Sequence, residues 1–281
     1  MKKVLSIAGS DCSGGAGIQA DLKTFSALGV FGMSVIVSVV AENTSRVIDI
    51  QDISPEMIGR QIDAVFEDIE VDAVKIGMLS TAECMETVAG KLRQYKPCPV
   101  VVDPVMYAKN GCPLMERESI GTLTRQIIPL ADVLTPNIPE AEKIADMSIT
   151  SVEEMETAAR RIYDMGSRAV MVKGGHAQGS ALDVLFDGKA FYHFETARID
   201  TRNTHGTGCT FSSAIASLLA QGMELPDAVR RAKAYVTTAI VYSLPIGKGN
   251  GPTNHFYELY HHGLKEMGEE TSGELREETW R

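Results

Sequence analysis

Several features that define whole classes of protein are scarce in this chain. Of its 281 residues one is tryptophan and 6% are aromatic. No stretch approaches the ~18 consecutive apolar residues of a membrane helix, which excludes a helical membrane bundle. The five cysteines, at 12, 84, 98, 112 and 209, are odd in number and none stands in a Cys-x-x-Cys pair, so neither a disulfide framework nor a zinc site is indicated. Positive charge is also in deficit. Lys and Arg number 27 against 37 Asp and Glu, a net charge of -10, which argues against nucleic acid as a partner because a phosphate backbone demands a basic face. Met1-Lys2-Lys3 leads into a short strand-like run rather than the apolar core of a signal peptide, so a cytoplasmic location is expected and no membrane partner. An anionic substrate must therefore be met locally, by helix ends, a few lysines and a metal.

What is present suits one large α/β domain. Hydrophobic residues make up 44% of the chain and charged residues 23%. Short β-branched runs at 4–8, 33–41, 73–76, 100–102, 133–135 and 169–173 read as strands apolar on both faces, the signature of a sheet covered on both sides. Helical periods at 17–28, 55–68, 81–95, 119–128 and 151–165 lie between them, so the sheet is mainly parallel. After residue 180, runs at 182–186 and 190–194 flank Asp187-Gly188-Lys189 and read as an antiparallel hairpin. Helices are expected at 209–220, 225–244 and 254–265. A single domain over 1–266 is expected, with an acidic, mobile tail over 267–281.

The run Asn203-Thr204-His205-Gly206-Thr207-Gly208-Cys209-Thr210-Phe211 carries the most chemistry. Two glycines allow a sharp turn into an alanine-rich helix, whose first amides converge on one spot with the positive end of the helix dipole. A phosphate fits there. Cys209 lies in the same turn, where a thiol pKa of about 8.5 is expected to fall toward neutrality and let the group accept a proton. The plainer reading is a tight connection with a small buried cysteine.

Ligands of doubly wound sheets bind beyond the carboxyl ends of the strands. Six such ends carry polar residues: Gly9-Ser10-Asp11, Glu42-Asn43-Thr44, Lys75-Ile76-Gly77-Met78, Asp103-Pro104-Val105-Met106, Thr135-Pro136-Asn137 with Glu140, and Lys173-Gly174-Gly175-His176. Gly15-Ala16-Gly17-Ile18-Gln19-Ala20 also fits a dinucleotide pattern, with Glu42 at the next strand end, which would make an NAD-dependent oxidoreductase. Against that reading, six residues separate the strand end at Ala8 from Gly15, and the second glycine turn would have no task.

These strand-end motifs, with Ser13-Gly14-Gly15-Ala16-Gly17-Ile18-Gln19-Ala20-Asp21-Leu22-Lys23-Thr24 and the Asn203–Thr210 turn, resemble the bacterial hydroxymethylpyrimidine/phosphomethylpyrimidine kinases of thiamine biosynthesis, over residues 4–260. The resemblance implies a ribokinase-like three-layer α/β/α sandwich. It also implies two successive phosphoryl transfers from ATP with Mg2+, to 4-amino-5-hydroxymethyl-2-methylpyrimidine and then to its monophosphate, and a homodimer is expected. Phosphoryl transfer needs positioning and charge neutralisation, which suits these residues. Gly206, Thr207, Gly208 and Cys209 would hold the transferring group. Cys209 stands where most ribokinase-like enzymes carry an aspartate base, and by resemblance takes the hydroxyl proton. Asn137 and Glu140 resemble the superfamily's Asn-x-x-Glu motif, which organises Mg2+ and its waters, and Asp103 would join that shell. Lys173, Thr204 and Lys233 are expected at the nucleotide.

Substrate choice is expected to rest on Glu42, which would accept from the exocyclic amine; Glu or Gln occupies this position in the family. Met78 and Val105 would pack on the ring faces, with Asp21 and the Gly9 backbone at its polar atoms. Departures from the family pattern are Cys12, Tyr107 and Cys112, which bear on pocket size and closure. Two alternatives remain beside the main reading. Relatives with the same thiol turn phosphorylate pyridoxine or pyridoxal, and a non-catalytic vitamin-binding protein would keep the pocket without the chemistry. ATP turnover separates the last from the others.

Overall fold

The apolar runs pair into one sheet in the order β3-β2-β1-β4-β5-β6-β7-β8-β9. The computed structural model describes residues 1–263 apart from 98, 109–110 and 176–180; Cys98, His176 and the acidic tail lie outside the described residues. Six strands run parallel: β1 (Lys3–Asp11), β2 (Phe31–Glu42), β4 (Ala73–Ile76), β5 (Val100–Val102), β6 (Val133–Leu134) and β7 (Val170–Val172). β8 (Ala181–Phe186) and β9 (Phe191–Thr196) form the expected antiparallel hairpin. Antiparallel pairing is not confined to that end. β3 (Val47–Asp52) lies antiparallel on β2 at the opposite edge, and being largely exposed it needs no apolar run to mark it.

Side-chain alternation along the strands sorts the core into two layers. Val4, Ala73, Val101, Val133 and Met171 face α1 (Gly17–Ala27), α7 (Thr207–Ala220) and α8 (Leu225–Val241). Leu5, Val74, Val100, Leu134 and Val170 face the other way, against α2 (Pro55–Phe66), α3 (Ala82–Tyr95), α5 (Ile138–Ala145) and α6 (Val152–Tyr163). The sandwich is thus helix, sheet, helix, as expected. Among the described residues no helix is long and apolar enough to cross a membrane.

Two helical expectations need correction. The span 119–128 is not one helix: it holds the short turn α4 (Ile120–Thr122), a π turn at Leu123–Ile127 and a 3-10 turn at Ile128–Leu130, where Pro129 has no N–H to continue a ladder. Of the span 254–265, the described part is helical only from residue 257, α-type at 257–258 and π-type at Leu259–Gly263. α5, in contrast, was not foreshadowed by periodicity; it is started by an Asn137/Glu140 capping box with Pro139 in its first turn.

The alternation also buries a charge. Ser6 on β1 and Lys75 on β4 are register partners, both turned toward the α1/α7 layer. Lys75 is fully buried, and its ammonium donates to both oxygens of Asp21 on α1 at 2.9 Å. Ser6 and, from α7, Ser213 donate to the same carboxylate at 2.6 and 2.7 Å. Burial alone would lower the Lys75 pKa, but the charges of Asp21 and Asp103 and the Asp21 hydrogen bond hold it above the usual lysine value. One carboxylate therefore joins two strands and two helices. Lys75→Met strands that carboxylate without its cation and is expected to cost about 3–5 kcal/mol, whereas the double variant with Asp21→Leu costs less than the sum of the single changes. A urea-unfolding double-mutant cycle measures this, and additive losses would show that the pair is not a unit.

Candidate active site

α7 starts without a side-chain cap. Its N-cap Gly206 has φ 79°, and a Cβ there would lie 1.7 Å from the Gly15 carbonyl oxygen, so the turn is built for glycine on both counts. Thr207 donates through N and Oγ1 to Thr204 O at 3.3 and 2.8 Å, which fixes the turn's entry. The next amides, of Gly208 and Cys209, belong to the first turn, where helix geometry supplies no carbonyl acceptor. α1 begins close by, since the same Gly206 Cβ would stand 3.3 Å from Ala16 Cα, and the Gly17 backbone favours the Cys209 thiolate. The thiol thus sits where two helix N-termini meet.

A cavity of about 730 Å³ opens over this turn at the carboxyl ends of the strands, a volume within the range of small-molecule sites. Glu42, Asp103, Val105, Asn137 and Lys173 line it from successive strand ends, Thr204 through Cys209 from the turn, and Lys233 from α8. Lys173 donates to Asp103 Oδ1 at 2.7 Å. A Cβ on Gly208 would stand 3.1 Å from Asp103 Oδ2 and 3.4 Å from Lys173 Nζ, so both charges face the anion turn. Burial works against the Lys173 charge, yet Asp103 and Glu140 raise its pKa above the usual value.

Comparison with known proteins settles the family. The family model described as phosphomethylpyrimidine kinase matches residues 11–254. The chain belongs to that family. It is 45% identical over 266 residues to a hydroxymethylpyrimidine/phosphomethylpyrimidine kinase of Staphylococcus aureus, covering 94% of this chain and 96% of the relative. It is 51% identical over 253 residues to the thiamine biosynthesis bifunctional protein ThiED of Geobacter sulfurreducens; that match covers 90% of this chain but spans about half, 52%, of the longer relative. Among solved structures, the ADP complex of Bacillus subtilis pyridoxal kinase superposes with a TM-score of 0.86 at 40% identity, covering 91% of this chain and 98% of the other.

Not every expected site residue reaches the cavity wall. Asp21 does not: both its oxygens are occupied by Lys75, Ser6 and Ser213, so it stands beneath the site rather than at a ligand. Gly9 and Met78 pack on each other behind the lining, where a Cβ on Gly9 would meet Met78 Cε at 2.5 Å. Glu140 is 4% exposed, and its carboxylate accepts from the amides of Asn137 at 2.8 Å and Met106 at 3.4 Å while Asn137 Oδ1 accepts from the Glu140 amide at 3.0 Å. The Asn-x-x-Glu motif is therefore first a helix start. Burial, and beyond it the charge of Asp103, pushes the Glu140 carboxyl up to about 7 against the opposing pull of Lys173. Lys233 is not a solvated lysine; it donates to Asp183 Oδ2 at 2.6 Å and to Ala181 O at 2.8 Å. Tyr107, one of the departures from the family pattern, also lies on the wall.

The dinucleotide reading fails on the same geometry. The Gly15 and Ala16 amides, which that pattern would aim at a pyrophosphate, donate instead to Asp11 Oδ2 at 3.0 and 2.7 Å. Nothing in the motifs that contain Asp11 and His205 pairs them; only folding brings them together, with Nε2 2.8 Å from Oδ2 across 194 residues.

The thiol departs from expectation in direction. Burial pushes Cys209 up to about 11, with Asp21 and Asp103 adding to it, and together they outweigh Lys75 and the Gly17 amide. Cys209 is a protonated thiol at neutral pH. Alkylation of Cys209 by iodoacetamide, followed by peptide mass spectrometry, should therefore accelerate about tenfold per pH unit from 7 to 10, since only the thiolate reacts. Levelling near pH 8 would show a preformed thiolate instead.

Proposed function

We propose that the chain transfers a phosphoryl group from ATP to the 5-hydroxymethyl of 4-amino-5-hydroxymethyl-2-methylpyrimidine and then to the resulting monophosphate. The observation that carries this reading is the shared cavity: Glu42, suited to an amine edge, lines the same space as the Gly206–Cys209 anion turn, Asp103 and Lys173. The family and the S. aureus relative's name support it. The ADP complex of the pyridoxal kinase supports a nucleotide in this fold.

The residues divide the work by charge. The first-turn amides of α7 hold the transferring group, and Lys173 meets phosphate charge. Cys209, protonated at rest, would take the acceptor hydroxyl's proton late in the transfer while its own proton goes to an oxygen of the phosphoryl group being transferred, whose bond to ADP breaks as the bond to the acceptor oxygen forms. Asp103 and Glu140 offer only carboxylate oxygens and stand close enough for Asp103 to raise Glu140, a donor set that fits a hard dication. Asp103 and Glu140 would hold Mg2+, which when bound would neutralise charge on the nucleotide phosphates.

Pyridoxal phosphorylation is the second reading, favoured by the close superposition on the B. subtilis enzyme. ADP release measured with the pyrimidine alcohol, its monophosphate, pyridoxine and pyridoxal decides between them. The pyrimidine is expected to lead by at least roughly tenfold in kcat/KM, and a lead for pyridoxal would reverse the assignment. Cys209→Ala is expected to lower turnover by roughly 10²- to 10⁴-fold with ATP affinity little changed. Near-normal turnover would remove the thiol from the proton path.

Glu140→Gln separates metal handling from proton handling. Its defect should shrink as Mg2+ is raised, while that of Cys209→Ala should not. Superimposable Mg2+ titrations for wild type and Glu140→Gln would take Glu140 out of the metal's surroundings.

A further inference from the structure

The end of β1 and the end of β2 bring two acids together. One oxygen each of Asp11 and Glu42 and a ring nitrogen of His205 lie within 4.8 Å of one another. Asp11 is 1% exposed, and its oxygens accept from the amides of Ser13, Gly15 and Ala16 at 2.7, 3.0 and 2.7 Å and face His205 Nε2 at 2.8 Å. Burial opposes its charge, but these hydrogen bonds hold the Asp11 carboxyl well below the usual range. Asp11 is therefore a fixed negative charge whose oxygens are taken by donors, which makes the cluster a poor cation site. The charged groups that act on Glu42 are Asp11 and His205, and the Cys12 thiol donates to the Glu42 carbonyl at 3.0 Å. Burial first, then Asp11, push the Glu42 carboxyl up to about 7, against His205.

The chemistry of the substrate makes that proton useful. On the reading proposed above, the aminopyrimidine presents a ring-nitrogen acceptor directly beside an exocyclic amine donor. A carboxylate has two acceptors, and one of them would face the ring nitrogen's lone pair. A neutral carboxylic acid offers one donor and one acceptor side by side, the matching pattern, and so does the amide of glutamine. We propose that Glu42 binds the aminopyrimidine edge as the neutral acid, donating to the ring nitrogen and accepting from the amine, and that Asp11 is the positioning residue that keeps the proton on Glu42. The arrangement also bears on selectivity, because the ring nitrogen of pyridoxine has no amine beside it.

The pH dependence of kcat/KM for the pyrimidine tests this. A group that must be protonated gives a falling alkaline limb, so wild type should lose activity above about pH 7, roughly tenfold per unit. In Glu42→Gln that limb should vanish, with kcat/KM at pH 6.5 reduced less than about tenfold, whereas Glu42→Ala should lose roughly a hundredfold or more. Asp11→Asn removes the neighbouring charge and should move the limb to lower pH. Binding gives a readout that needs no turnover: calorimetry at pH 8 in buffers of different ionisation enthalpy should show proton uptake approaching one per pyrimidine bound in wild type and none in Glu42→Gln. A flat profile through pH 9, Glu42→Gln as impaired as Glu42→Ala, or absent proton uptake would each overturn the neutral-acid mode. An unmoved limb in folded Asp11→Asn would overturn the role of Asp11. Absence of pyrimidine turnover at every pH would overturn the substrate reading itself and the proposal with it, an outcome distinct from turnover with a flat profile.

Discussion

The buried Lys75–Asp21 pair is the constraint on which the site depends. Its partners come from β1, β4, α1 and α7, so it sets the height and rotation of both helices whose N-termini meet at Cys209. Such a pair gains little over an apolar core of the same volume, because two charges lose their water. Its worth here is geometric. A carboxylate that accepts from two serines and an ammonium on three sides admits one arrangement of its neighbours, whereas packed aliphatic side chains tolerate small slides.

The rest of the polar site follows the same economy of charge. Asp103 is paired by Lys173, Asp183 by Lys233 and Asp11 by His205. Each pair places at least one member on the cavity wall. Glu42 and Glu140 break the pattern. Each carboxyl, half-buried at Glu42 and buried at Glu140, lies near a second carboxylate, and each is raised to about 7. A raised carboxyl is adjustable by what binds beside it: on the proposed reading a dication would favour the ionised form at Glu140 and a ring-nitrogen acceptor the protonated form at Glu42.

Much of this molecule was legible in its sequence for a simple reason. Strands apolar on both faces, separated by helical periods, specify a covered parallel sheet, and a parallel sheet gathers its strand ends on one face. That logic accounts for Glu42, Asp103, Val105, Asn137 and Lys173 around one cavity, which the Gly206–Cys209 helix start also lines. Gly206 was readable because a turn with positive φ against a neighbouring carbonyl has one solution. The capping box at Asn137 and Glu140 carried a second, local meaning, a helix start, which short spacing rules detect when Pro139 is weighed with it.

Tertiary structure decided everything that depends on burial and on contacts far apart in sequence. Whether Asp21 faces a ligand or a lysine turns on strand register and on which helix lies above, and neither is written in the residues around it. The direction of the Cys209 shift was misjudged from local sequence because a helix N-terminus is visible there, while the desolvation and the carboxylates that outweigh it arrive from other strands. Asp11 and His205 meet across 194 residues. Sequence alone determined the parallel core of the sheet, the strand-end face and the types of residue available to the chemistry, since these follow from periodicity and turn stereochemistry. Protonation states and pairings were left to the fold, because they depend on distance and dielectric, and only packing sets those.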